Sequence, residues 1–253
     1  MPELFSLGGR NVLVTGGTRG IGRAISLRFA RAGAVVLANY LRDDLSAETL
    51  KREADQEGLA IHACRADVTG DKGIQRLLAA ADELGPVLHC LVHCAATGVH
   101  KPVEQMTLRH FDWTMALNIR AFYNLVRLLL PRFTEGGSIL ALSSEGAARA
   151  VPLYTLVGAS KGALESMVRH LAAEFAGRGI RVNALAPGAV KTEAWKAMPD
   201  ADERLEETIR RTPLGRLVHV EEVAAAAQFL CSDAAAGIVG QTLVVDGGCR
   251  IMS

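Results

Sequence analysis

The chain has 253 residues, 49% hydrophobic and 22% charged, which excludes a disordered or fibrous protein and allows one large buried core. With 28 basic against 27 acidic side chains the net charge is +1, so no global field draws the protein to nucleic acid or an anionic membrane. Small molecules or local patches are the expected partners.

The N-terminal MPELFSLGGRNVLVTGG lacks a basic region ahead of a long apolar run, and no later segment approaches the roughly 18 apolar residues of a membrane span. A cytoplasmic protein is expected. Apolar, β-branched runs at 11–15, 34–38, 59–65, 87–93, 138–143, 180–186 and 242–246 alternate with helical patterns at 20–32, 46–57, 70–84, 108–133, 157–176 and 220–230. That alternation predicts parallel βαβ units, and the unbroken apolar character of the runs predicts helices on both faces of the sheet. The expected fold is α/β, a Rossmann-type doubly wound parallel sheet of about seven strands, one domain over 1–253, with its ligand crevice outside the carboxyl ends of the strands.

The first run passes into TGGTRGIG, residues 15–22, and then directly into a helix. Gly16 permits a sharp turn, Gly20 lets the backbone approach a pyrophosphate, and Gly22 allows close helix-to-strand packing. The helix N-terminus then offers free N–H groups to the anion, so dinucleotide binding is expected. The second run ends Leu37, Ala38, Asn39, without the carboxylate that would hold a ribose 2′-hydroxyl. Arg19 in the loop and Arg42 beyond the strand suit a 2′-phosphate, which favours NADPH; the competing reading makes them solvated surface charges.

Cys64, Cys90, Cys94, Cys231 and Cys249 are an odd set without a CxxC pair, so reduced thiols are expected and no disulfide framework. His89, Cys90, His93 and Cys94 resemble packed zinc ligands, but strand alternation sends the histidines to one face and the cysteines to the other. No metal site is expected. The charged stretch 191–217 escapes the βα alternation and reads either as a flap beside the crevice or as a solvated excursion.

On these motifs the chain resembles the short-chain dehydrogenase/reductase family over nearly its whole length. The loop is similar to the family's TGxxxGIG, so Thr18 and Ile21 join the glycines and Arg19 as expected cofactor contacts, and Asp67 and Val68 sit where the family frames the adenine. Asn118 resembles its helical asparagine, Ser144 its active serine and Lys161 its lysine, which implies a grip on the nicotinamide ribose. Pro187, Gly188, Val190 and Thr192 lie in a PGxxxT-like turn that implies a seat for the carboxamide. The usual NNAG appears as His93, Cys94, Ala95, Ala96, with Ala95 still expected at the cofactor.

The second departure is sharper. The family's YxxxK would place a tyrosine at position 157, where this chain has Val157; Tyr154 instead gives a Y-x6-K spacing. That spacing resembles enoyl thioester reductases, in particular the enoyl-acyl-carrier-protein reductase III branch. On a regular helix both spacings keep tyrosine and lysine on one face, about 6 Å or about 10 Å apart along the axis. A carbonyl reductase needs its proton donor at the carbon that accepts hydride, whereas an enoyl reductase collects charge on an oxygen two carbons away. The displaced phenol suits the second reaction, with Pro152 close upstream leaving the start of the helix open.

The resulting expectation is NADPH-dependent reduction of an enoyl thioester, on acyl carrier protein or coenzyme A. Tyr154 bonds the enolate oxygen, Lys161 favours an ionised tyrosine or proton supply, Ser144 orients substrate, and Asn118 either holds a relay water or stabilises its helix. Alternatives are a 3-ketoacyl or other carbonyl reductase, an inactive NADPH-binding regulator, and Tyr154 as a packing residue. Ala194, Trp195, Ala197 and Met198 are expected to line an acyl tunnel, and Lys191, Lys196, Arg204, Arg210 and Arg211 to form either a basic rim for an acidic carrier or a solvated helix face. The resemblance implies a homotetramer built on the helices around Asn118 and Lys161.

Overall fold

In a parallel sheet covered on both faces, neighbouring residues of one strand serve opposite cores. In β1 (Asn11–Thr15), Val12 and Val14 face one cluster and Leu13 the other. The computed structural model describes residues 2–190 and 201–252. The remaining strands are β2 (Val35–Tyr40), β3 (Ile61–Arg65), β4 (Cys90–His93), β5 (Ser138–Leu142), β6 (Arg181–Pro187) and β7 (Thr242–Val245). All pair in parallel, in the order β3-β2-β1-β4-β5-β6-β7. The chain reverses direction across the sheet between β1 and β4, which opens a crevice above their carboxyl ends.

Helices α1 (Gly20–Arg31), α2 (Asp44–Glu57) and α8 (Val220–Cys231) cover one face through Ile25, Phe29, Leu50, Val223 and Leu230. Helices α3 (Asp71–Glu83), α5 (Ala121–Leu129) and α6 (Thr155–Phe175) cover the other through Leu77, Phe122, Leu125, Leu164 and Val168. Each contributes apolar residues at three- and four-residue spacing. Within the stretch expected as a flap, Ala201–Arg211 forms α7, while residues 191–200 lie outside the described residues.

One expectation is corrected. The pattern over 108–133 is broken: α4 (Leu108–Met115) runs into a π turn over Ala116–Arg120 before α5, and a 3-10 turn follows over Leu130–Arg132. A π turn widens the ladder by one residue, and here it carries Asn118 inward to full burial. Apolar periodicity cannot reveal this, because a single inserted residue hardly disturbs the pattern. His93 and Cys94 do point apart: His93 packs on Phe122 with ring centroids 5.5 Å apart, and Cys94 joins the α1–α8 side.

Phe122 is fully buried at the centre of its face. Truncating it in Phe122→Ala is expected to cost about 3–5 kcal/mol, read from urea unfolding. A loss below about 1 kcal/mol would show that this core collapses around the void.

Candidate active site

The glycine turn between β1 and α1 leaves no space for side chains. Gly16 has φ of +63° and lies against the Ala95 backbone, and a Cβ on Gly22 would sit 2.1 Å from the Gly16 carbonyl. Arg19, the residue before α1, is extended and makes no capping bond, in contrast to Asp43 and Thr107, whose side chains cap α2 and α4. The first-turn amides of Gly20, Ile21 and Gly22 are therefore open to an anion, beside the buried Thr18. These observations fit a dinucleotide pyrophosphate.

At the end of β2 the side chain of Asn39 is buried, and its amide donates to the carbonyls of Ala66 at 2.9 Å and Cys64 at 3.3 Å. Asn39, expected among the cofactor-binding residues, thus turns its amide to β3 and braces β2 against it. Arg42 is exposed beyond the strand. Asp43 accepts from the Ser46 amide and hydroxyl, bonds that hold its carboxyl below the usual range, with Arg19 adding to the effect. Asp67 is exposed and accepts from the amide and hydroxyl of Thr69, while the Val68 side chain is core. On the far side, Pro187 ends β6, the Gly188 amide donates to the Val245 carbonyl at 2.9 Å, and Val190 bridges to Val218. Thr192 lies outside the described residues, as do the proposed tunnel residues 194–198, Lys191 and Lys196.

Tyr154 stands one residue before α6, so the regular helix begins after it. The turn that delivers it runs through Pro152 and Leu153, closes with the Tyr154 amide on the Val151 carbonyl, and puts Leu153 at φ of 60°. Its ring packs between His100, centroids 5.3 Å apart, and Gly146, where a Cβ would meet ring carbons at 2.6 Å. The phenol lies 3.2 Å from Ser144 Oγ, which also accepts from the Gly146 amide. Burial pushes the phenol's pKa up, Ser144 opposes this, and the charge of Glu145 adds to it. The upward shift favours the phenol in its protonated form.

Lys161 is 4% exposed, with Nζ donating at 2.6 Å to the Leu142 carbonyl at the end of β5. Burial pushes its pKa down to about 8, the Cys94 thiol opposing. Asn118 Oδ1 accepts from the Thr97 amide at 2.9 Å, and its Nδ2 donates to the Thr97 carbonyl and to Ser160 Oγ. The Asn118 side chain thereby staples the loop after β4 to α6. That staple presses Gly98 onto Val157, where a Cβ at 98 would meet Val157 Cγ2 at 2.0 Å.

Other groups pack beside these. His93 is fully buried, with Nδ1 3.0 Å from Thr15 Oγ1, which also accepts from the Ala95 amide. The other ring nitrogen, Nε2, makes no hydrogen bond. A cleft of about 450 Å³ opens in front of Tyr154 and Ser144, walled by Ile21, Gly188, Thr208, Arg211 and Cys249 and holding the half-buried Glu145. Arg149 closes its far end by donating to the carbonyls of Cys249, Arg250 and Met252. Among the described residues no group of metal-ligating side chains gathers, and no helix is long and apolar enough to cross a membrane.

Glycine turn, serine, displaced tyrosine and lysine thus converge at the carboxyl ends of β1, β5 and β6, which defines a dinucleotide-dependent oxidoreductase class of site. A sequence profile described as Enoyl-(Acyl carrier protein) reductase matches residues 16–250. The chain is 36% identical over 244 residues to a 1-cyclohexenylcarbonyl-CoA reductase of Streptomyces collinus, covering 95% of this chain and 87% of that protein. It is 35% identical over 247 residues to the 7alpha-hydroxysteroid dehydrogenase of Escherichia coli (strain K12), covering 96% and 94%. Among solved structures, a gluconate 5-dehydrogenase from Burkholderia cenocepacia J2315 in complex with NADP and tartrate matches with a TM-score of 0.90 at 31% identity, covering 100% of this chain and 99% of that one. The chain belongs to the short-chain dehydrogenase/reductase family of oxidoreductases.

Burial, with the Lys161 charge adding and the Leu117 carbonyl weakly opposing, holds the His93 pKa at about 3 against the usual 6.5. As pH falls below 6.5 the unfolded chain binds this proton while the folded one does not, so stability drops with a slope of about 1.4 kcal/mol per pH unit. His93→Asn is expected to remove about 2 kcal/mol of the loss between pH 7 and pH 5, measured by urea unfolding at both. Equal losses in the two proteins would show that His93 already titrates in the fold.

Proposed function

We propose that the protein reduces the carbon–carbon double bond of a trans-2-enoyl thioester with NADPH. The observation that carries this reading is the place of the phenol. Tyr154 reaches the cleft from ahead of α6, beside Ser144, while position 157 is buried under Gly98 and faces no cleft. The relative from Streptomyces collinus supports it, since its name describes a double bond conjugated to a thioester carbonyl.

The reduced nicotinamide, when bound, supplies a hydride to the β-carbon. The open amides of Gly20, Ile21 and Gly22 would hold its pyrophosphate, and Lys161 its ribose hydroxyls. Charge then gathers on the thioester oxygen, and the neutral Tyr154 O–H donates a hydrogen bond to it, in a site where desolvation strengthens that bond. Ser144 fixes the direction of the phenol. Arg19, with Arg42 across the end of β2 and no carboxylate on Asn39, favours the 2′-phosphate of NADPH. The exposed Leu108, Phe111 and Trp113 on α4 and Tyr123 on α5 support assembly of several copies, a homotetramer in our reading. Arg210 and Arg211 at the end of α7 are what remains, among the described side chains, of a basic rim for an acyl carrier protein.

The second reading, a carbonyl reductase, is favoured by the relatives named for hydroxysteroid and gluconate oxidation. Crotonyl and acetoacetyl thioesters separate the two. NADPH oxidation with the first and not the second is expected, and the reverse would overturn our reading. Tyr154→Phe is expected to lower crotonyl turnover by about 100-fold with cofactor affinity kept. Val157→Tyr should lower stability by about 1–3 kcal/mol, because the Gly98 backbone fills the space required, and should not create carbonyl reduction. Full activity of Tyr154→Phe would remove the phenol from the reaction. Arg19→Ala is expected to raise KM for NADPH about tenfold and leave that for NADH unchanged, the loss of one exposed charge-assisted bond; equal changes would show that Arg19 reads no phosphate.

A further inference from the structure

One group in the cleft has no part in the reaction so far. Glu145 follows Ser144 directly, in a 3-10 turn, and lines the cleft together with Tyr154 and Ser144. Among the described residues it has no hydrogen-bond donor and no ion pair, although a half-buried carboxylate normally finds one. An enoyl reduction, in turn, requires one further proton donor. Hydride addition at the β-carbon and a hydrogen bond on the oxygen leave an enolate, and the α-carbon still requires a proton.

Resting on the enoyl reading, we propose that Glu145 is the catalytic acid that protonates the α-carbon. The hydride supplies the electron pair of the new Cβ–H bond, and the former C=C pair moves into the enolate. The Glu145 O–H bond then breaks as the enolate's carbon–carbon pair forms the Cα–H bond and the thioester C=O is restored. The carboxylate left behind takes a proton from water at the cleft mouth. Tyr154 and Glu145 thereby divide the work: the phenol holds charge on oxygen without giving up its proton, and the carboxyl completes the carbon.

The surroundings suit an acid in its protonated form. Burial raises the Glu145 pKa, Arg149 on its own turn lowers it, Asp246 beyond β7 raises it, and Arg211 on α7 lowers it. Tyr154, at the head of α6, Glu207, on α7, and Cys249, beyond β7, are the remaining titratable groups of the cleft wall among the described residues. Arg149 is already occupied by three carbonyls, and Arg211 lies 3.9 Å from Glu207, so neither guanidinium pairs with Glu145.

The test is reduction of crotonyl thioester by NADPH in D₂O, with the configuration of deuterium at the α-carbon read by NMR. The wild type is expected to give one configuration, with kcat falling as pH rises and Glu145 ionises. Glu145→Gln should lose about 100-fold in kcat. It should also lack that limb of the pH profile and give both α configurations, while NADPH affinity and stereochemistry at the β-carbon stay as in the wild type. Glu145→Asp keeps an acid and should keep one configuration. A single α configuration from Glu145→Gln, or scrambling in Glu145→Asp, overturns the assignment. A wild type inert toward crotonyl thioester overturns the enoyl reading itself, whereas an active wild type beside an indifferent Glu145→Gln overturns Glu145 alone.

Discussion

A buried ammonium organises the cleft. Lys161 is carried by α6 to the carboxyl end of β5, where the Leu142 carbonyl is its hydrogen-bond acceptor. One neutral acceptor offsets only part of the cost of removing a cation from water, so the groups around it must not add positive charge and must leave its other N–H bonds open. The histidine and the thiol beside it obey this. His93 stays neutral at physiological pH, and burial holds the Cys94 thiol up at about 12. A cation so placed, with donors to spare, is ready for hydroxyl oxygens, and a ribose presents two.

Helix α6 acts as the ruler from which the site is measured. Val157 lies under Gly98, Ser160 takes the Asn118 amide, and Lys161 meets β5, so three positions within five residues face three different elements. Asn118 reaches Ser160 because the π turn widens the helix ladder there, and it grips Thr97 from the same position. The loop after β4 is consequently a fixed wall, and it closes the space beside position 157.

Much of this was legible in the amino-acid order. The seven strands fall where apolar runs bounded by turn residues place them, because β-branched runs buried on both faces have few other structures open to them. The glycine turn was legible too, since Gly22 admits no other residue. What was not legible depends on contacts between distant segments. Asn39 faces its neighbour strand, Asn118 serves a loop, and Glu145 lines the cleft from a 3-10 turn; none of these has a periodicity or spacing of its own. Glu145 carried one signal, its adjacency to Ser144, which an argument from motifs passes over.

The turn ahead of Tyr154 has a consequence for how this protein can be improved. Leu153 holds a left-handed backbone that glycine adopts freely and leucine only at a cost of about 1–2 kcal/mol. Pro152 on one side and the closed Val151–Tyr154 bond on the other keep it there. A glycine in its place would remove that strain and would also slacken the arm that aims the phenol. Thermostability and a fixed aim for the phenol therefore pull against each other at this position, and a search for hardier variants that selected only for heat resistance would be drawn to it.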